Sequence, residues 1–375
     1  MKKLLALTLC FCLLLAALTA CGGEPQAPTQ APTEEPTATP EPADLAGYLA
    51  AAWEKYPLDA VVLTVNGTDV TWAEYYYWIA DICAYHGEMP PWEEDIGDGM
   101  TYDEYFRMYA EKNMSYFRIL ETRAAELGVD LSPASQAELD ASWQSFVESN
   151  GGEEAALDYL GSAFLTKPVY DRFNRLGYLS NALFAELYGT AGEKLSDEDT
   201  IASAAERGYT HVKHILYKTI DDTGAPLSEE EVTAAREAAE TALASLQTLP
   251  AEELEAAFDV IMNDESGDAG ALVNWPDGYT YLPGVMDVPF ETAAQSLAEG
   301  EMSELVEGMY GYHIILRLPL DADGATMEYG SDYMPISLRQ YIASSLFESN
   351  LAAAVDEAEP VYSEAFRDFQ VASLF

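Results

Sequence analysis

The apolar positions divide the chain into three unlike stretches. Residues 4–18 are almost unbroken hydrophobic, residues 22–43 hold hardly a large apolar side chain, and from Leu45 onward apolar residues recur with helical or strand period. Leu45–Lys55 reads as a helix. Ala60–Val65 is a β-branched run, Asn66-Gly67 is a hairpin signal, and Thr71-Trp72-Ala73-Glu74 has capping-box spacing for a helix through Ile82. From Tyr102 to about Tyr188 the pattern is helical, with loops near Asn150-Gly151-Gly152 and Gly189-Thr190.

A second pattern starts at Leu195-Ser196-Asp197-Glu198-Asp199, a capped helix that leads into Tyr209–Lys218, where apolar and polar residues alternate as in a strand. Ser228 caps a helix to about Leu246, and Pro250 starts another that ends near Met262. The pattern then predicts a short strand over Ala271–Trp275, a helix around Pro289–Leu297, a strand over Met302–Val306 and a strand over Gly311–Leu318. That order, β-α-α-β-α-β-β, predicts an α+β domain with helices on an antiparallel sheet. An acidic turn follows, then a helix over residues 336–355 and a last helical stretch to Phe369.

Composition changes the picture in two respects. The 375 residues suffice for two or three domains, and 18 Lys+Arg against 65 Asp+Glu leave a net charge of −47. Such a chain repels nucleic acid and anionic surfaces, so a nucleic-acid role is excluded; otherwise the acid reads as solvated helix face. Aromatic residues crowd the first helices: Tyr75, Tyr76, Tyr77, Trp78, Tyr105, Phe106, Tyr109, Tyr116 and Phe117. They are either helix core or a greasy crevice, the latter open to partner chains or to a second protomer in a homodimer. Cys83 lies in an apolar helical stretch and reads as a buried small hydrophobe.

The N-terminus resembles that of a bacterial lipoprotein. Lys2 and Lys3 precede an apolar run too short to span a membrane, which ends in Leu18-Thr19-Ala20-Cys21, similar to a lipobox. The resemblance implies a signal peptide over residues 1–20, lipidation of Cys21 and anchoring to the outer face of the cell membrane. Prolines 25, 28, 32, 36, 40 and 42 make residues 21–44 an extended tether. With Cys10 and Cys12 removed and Cys21 acylated, Cys83 has no partner for a disulfide.

Two further resemblances concern the folded part. The strand, Val65-Asn66-Gly67 turn and Thr71-x-x-Glu74-Tyr75 helix start are similar to the opening of the SurA/PrsA class of foldases. Val212-Lys213-His214-Ile215-Leu216, Gly300-Glu301-Met302-Ser303-Glu304-Leu305-Val306 and Tyr310-Gly311-Tyr312-His313-Ile314-Ile315 together resemble the parvulin family of prolyl isomerases. This implies a helical chaperone domain in residues 45–205, a parvulin-like domain in 206–320 inserted into it, and C-terminal helices in 321–375 completing it.

Rotation about a prolyl bond crosses a barrier of ~18–20 kcal/mol without making or breaking a bond, so neither metal nor cofactor is required. The site needs an apolar pocket for the ring and polar groups that favour the twisted amide. The resemblance places the paired histidines at His214 and His313, and a third polar residue at Asp264, with Glu265 or Asp268 as alternatives. It places the proline pocket at Met286 and Phe290, one helical turn apart, with Leu272 as another wall. By alternation His211 faces away from His214, toward the surface or an edge; His86 is given no role. The stretch Gly270-Ala271-Leu272-Val273 departs from the family's Gly-Gly-Asp-Leu-Gly. Only Lys218 stands where phosphate-reading relatives carry a basic cluster, so the implied substrate is an unmodified Xaa-Pro bond in an unfolded exported protein. The alternative is a non-catalytic chaperone of the same shape.

Overall fold

The computed structural model describes residues 45–97, 99–330 and 334–375; the leader, the tether and Cys21 lie outside the described residues. Helix α1 (Leu45–Trp53) precedes the hairpin β1 (Val61–Val65) and β2 (Thr68–Thr71). Asn66 and Gly67, at φ 49° and 77°, supply the two left-handed residues that a tight hairpin turn requires. Helix α2 (Trp72–His86) starts where Thr71 N and Oγ1 donate to Glu74 Oε2 at 2.9 and 3.0 Å. A short hairpin, β3 (Asp95–Gly97) and β4 (Met100–Thr101), then leads into α3 (Tyr102–Leu127). Helices α4 (Pro133–Ser149), α5 (Glu153–Ser162), α6 (Lys167–Tyr188) and α7 (Asp197–Glu206) follow.

The aromatic stripe is largely core. Tyr75, Tyr76, Phe106 and Phe117 are buried with Trp72, while Tyr77, Trp78, Tyr105, Tyr109 and Tyr116 pack half-buried around them. Cys83 is buried in the same cluster, and burial pushes its thiol up to about 12.

The next part is α+β, as the alternation requires. Strand β5 (Thr210–Lys218) is followed by α8 (Glu229–Leu246), α9 (Ala251–Glu265), α10 (Ala269–Asn274), β6 (Tyr279–Tyr281), α11 (Val288–Ser296), β7 (Val306–Glu307) and β8 (Gly311–Leu318). The sheet runs β6-β5-β8-β7 with every pair antiparallel. One face carries Ile215, Tyr217, Ile314 and Leu316 against Leu243, Leu246, Phe258 and Met262 of α8 and α9. Lys213 anchors that face, its Nζ donating to Glu255 Oε1 and Asp259 Oδ2 on α9, both at 3.0 Å. The other face carries Val212, Ile315 and Tyr281 against Phe290 and Ala294 of α11.

Two predicted strands differ. Residues 271–275 were expected to be extended but lie within or just beyond α10, because the Asp268 side chain accepts from Ala271 N at 2.9 Å and caps a helix there. The strand comes later, at β6. The expected Met302–Val306 strand shrinks to a bridge from Met302 to Leu316 and the short β7.

Past β8 a hairpin that the sequence pattern did not suggest, β9 (Ala325–Tyr329) with β10 (Pro335–Ser337), leads into α12 (Leu338–Glu357). The last stretch is not helical as expected. Pro360 disfavours helix before it, and the chain instead forms β11 (Val361–Tyr362) and two 3-10 turns, Glu364–Phe366 and Val371–Leu374. Strand β11 pairs antiparallel with β1, giving the order β11-β1-β2. Phe366, Phe369, Val371 and Leu374 thereby join Trp72 and Tyr75 in one core.

Three arginines tie separate elements together. Arg339 of α12 donates to Leu195 O, Asp197 and Asp323. Arg118 of α3 is fully buried and donates to Asp69 O and to Glu74 Oε1, both at 2.8 Å. Arg172 reaches the same Glu74 oxygen at 2.9 Å. Burial alone would raise the Glu74 carboxyl, but Arg118, the Thr71 amide and Arg172 hold it below the usual range. Removing one partner of such a pair strands a buried charge, so Arg118→Met is expected to cost about 3 kcal/mol in urea unfolding. A loss below about 1 kcal/mol would show that the pair contributes little.

Candidate active site

Strands β5 and β8 pair from His211 opposite Leu318 to Lys218 opposite Gly311, with His214 opposite Ile315 and His313 opposite Leu216. The two histidines are therefore diagonal neighbours on one face, the face beneath α11. Their rings lie 5.3 Å apart at 20°, and Nδ1 of one is 3.1 Å from Nδ1 of the other. Both are buried, at 5% and 3% exposure. Gly311 makes the start of β8 possible: at φ 148° a Cβ there would lie 2.1 Å from Tyr217 O.

Asp268 fixes the outer histidine. Its Oδ2 lies 3.0 Å from His214 Nε2 and accepts from the Tyr279 hydroxyl at 2.9 Å, while Oδ1 caps α10. Burial would raise this carboxyl, yet the His214 bond, the Ala271 amide and Tyr279 hold it well below the usual range. A carboxylate only accepts, so His214 carries its proton on Nε2. With the pair uncharged, His214 Nδ1 then accepts from His313 Nδ1–H, which leaves the His313 Nε2 lone pair bare. Burial, reinforced by His214, pushes His313 down to about 3.

The floor of the site is apolar. Phe290 meets both rings edge-on, 5.3 Å from His214 and 5.2 Å from His313. Ala271, Tyr279 and Ile315 share its cluster, with Met286, Trp275 and Met327 packed around it. Gly308 closes one side: a Cβ there would lie 3.0 Å from both His313 Nε2 and Asp287 Oδ2. Those two atoms are buried and hydrogen-bond to no described residue. Asp287 occupies the N-cap position of α11 without capping it, its Oδ2 turned instead toward Gly308.

The structure thus brings His214, His313, Met286 and Phe290 together, but two expected residues lie elsewhere. Asp264 is exposed on α9, and the carboxylate that reaches His214 is that of Asp268, one of the alternatives. The N-cap role of Asp268 was the signal that pointed to it, hidden by reading the following residues as a strand. Leu272 packs on the α8–α9 cluster rather than with Met286 and Phe290. His211 is not at the surface: it is buried, with ring nitrogens 2.7 Å from Pro319 O and 3.1 Å from Asp277 O. Trp275, Tyr279 and Met327 were missed because no periodicity sets them apart.

The family model for the rotamase, PPIC-type PPIASE domain matches residues 214–318. No curated protein matches the chain. Among solved structures, PrsA from Bacillus anthracis, a peptidylprolyl isomerase, is 17% identical over 65% of this chain and 94% of its own, with a TM-score of 0.22. PrsA from Bacillus subtilis is 20% identical over 80% and 90%, with a TM-score of 0.22. One of two SurA-like chaperones of Campylobacter jejuni is 11% identical over 81% and 99%, with a TM-score of 0.23.

The depressed His313 has a measurable consequence. The folded chain takes up a proton here less readily than the unfolded chain, whose histidine titrates near 6.5. The contribution of His313 to stability is therefore whole above that pH and is lost as pH falls toward the folded value. Between about pH 6 and about pH 4 the protein should lose about 1 kcal/mol per pH unit more than His313→Asn in urea unfolding. Parallel slopes for the two proteins would refute this account. A buried histidine pair above an apolar floor, within residues that match the family from one histidine past the other, identifies residues 214–318 as a PPIC-type, parvulin-like peptidyl-prolyl cis-trans isomerase domain.

Proposed function

We propose that the protein is an exported, lipid-anchored folding factor that turns Xaa-Pro bonds in partly folded exported chains. The observation that carries this reading is the buried His214–His313 pair over Phe290. The proline ring would sit against Phe290 and Met286, out of water. There the amide loses the solvent hydrogen bonds that favour its planar, charge-separated form, and the barrier of ~18–20 kcal/mol falls. We assign the polar groups flanking the twisted amide to His214, His313 and Asp268, with Asp268 holding the orientation of His214. Lys218 is half-exposed and paired with Asp222 at 3.0 Å, which supports an unphosphorylated substrate.

The chaperone part of the reading rests on the helical half. Ile119, Leu183, Leu187, Phe347 and Leu351 line a groove of about 680 Å³ between α3, α6 and α12. Thr122, Arg123, Glu126, Asn350 and Glu357 line it as well, and a groove with an apolar floor and a polar rim suits an unfolded segment, a second copy of the chain being the alternative occupant. We read residues 206–320 as an insertion in a helical domain formed by 45–205 and 321–375, since β11 pairs back onto β1. The sequence around Cys21 supports export and anchoring.

The test is a refolding reaction limited by prolyl isomerisation. The wild type should accelerate the slow phase, and His214→Ala, His313→Ala and Met286→Ala should each lower that rate about ten-fold or more. If the slow phase is untouched while aggregation is suppressed, the protein is a chaperone without turnover. A fatty-acid probe should label the wild type in cells and not Cys21→Ala; an unlabelled, freely secreted product would remove the anchor from this reading.

A further inference from the structure

We propose that the β9–β10 hairpin builds a second client subsite beside the prolyl pocket, one that takes an aromatic or large aliphatic side chain near the isomerised bond. The proposal rests on the isomerase reading of that pocket. The hairpin lies beyond the residues that match the isomerase family. Met327 of β9 nevertheless packs in the same cluster as Phe290, Met286 and Tyr279.

From the histidine pair a file of rings leads outward. His214 lies 5.6 Å from Tyr279, Tyr279 lies 5.3 Å from Trp275, and Trp275 lies 6.4 Å from Tyr329. The inner members are buried or half-buried, whereas Tyr329 is 54% exposed and Val273, at the end of α10, is 78% exposed. Apolar surface that continues outward from a binding pocket fits the same extended ligand rather than an unrelated one. At ~3.3 Å per residue, about five extended residues of a client cover three ring-to-ring steps.

Hydrogen bonds also tie the described part of the hairpin to the site and to the helix that follows it. Trp275 Nε1 donates to Thr326 O at 3.2 Å, Thr326 Oγ1 donates to Ile336 O at 2.9 Å, and Glu328 N donates back to Thr326 Oγ1 at 3.2 Å. At its base Leu338 N and Arg339 N donate to Gly324 O and Ala322 O, at 2.9 and 2.7 Å. A wall held at its base and against Trp275 costs less entropy when a ligand side chain packs on it than a free loop would.

A peptide series tests this directly: one Xaa-Pro bond in an alanine background, with a single Phe moved from five residues before to five residues after it. In the wild type one Phe position should raise kcat/KM about ten-fold over the all-alanine background, chiefly through KM. Tyr329→Ala and Met327→Ala should each remove most of that ratio. No preferred position, or a ratio unchanged in both variants, overturns the proposal. The Trp275 indole N–H resonance, assigned with Trp275→Phe, should shift with the favoured Phe peptide and not with the alanine peptide. If peptides are turned over while that resonance stays still, the subsite is wrong and the isomerase reading stands. If it shifts without any turnover, the subsite stands and the isomerase reading falls.

Discussion

The pairing of β5 with β8 is the constraint on which the rest of the isomerase part depends. The two histidines it joins are 99 residues apart in sequence, so the pairing closes a long loop. Once closed, its register decides everything on both faces. Odd positions of β5 meet even positions of β8 beneath α8 and α9, and the complementary set lies under α11. A slip of one residue would send His214 or His313 to the α8–α9 side and bring apolar residues to the site. Lys213 and Gly311 guard that register from opposite directions. Lys213 is tied to two acids on α9, and Gly311 starts β8 where no side chain fits against Tyr217 O.

Cations are scarce in this chain, and several of them stand at junctions. Arg118 joins β2 and α2 to α3, Arg172 adds α6 to the same carboxylate, and Lys213 pins α9 to the sheet. The surrounding excess of acid keeps the surface charged and leaves few surplus cations to compete for these partners. Such pairs are weak contributors to net stability but strong selectors of one arrangement, because every mispairing leaves a charge unmatched.

Much of this was legible in the sequence where local chemistry and long-range packing agree. The Asn66-Gly67 turn, the Thr71 and Ser228 capping boxes, and the alternation in β5 and β8 each describe their own backbone. So did the histidine pair and its Phe290 floor, through three motifs in order. What could not be read depends on tertiary partners. Residues 271–275 look extended until Asp268 caps them, and that one cap also decides which carboxylate meets His214. His211 looks superficial by alternation, yet the loops carrying Asp277 and Pro319 fold over it. The β9–β10 hairpin is too short for periodicity to show, and β11 exists only because β1 offers an edge.

Arg339 has a consequence for what a single substitution could do. Its guanidinium touches Leu195 O and Asp197, shortly before β5, and Asp323, shortly after β8. Two points far apart in sequence therefore meet at one cation. Take that cation away and the two carboxylates face each other alone, so the contact that draws the segments together becomes one that pushes them apart.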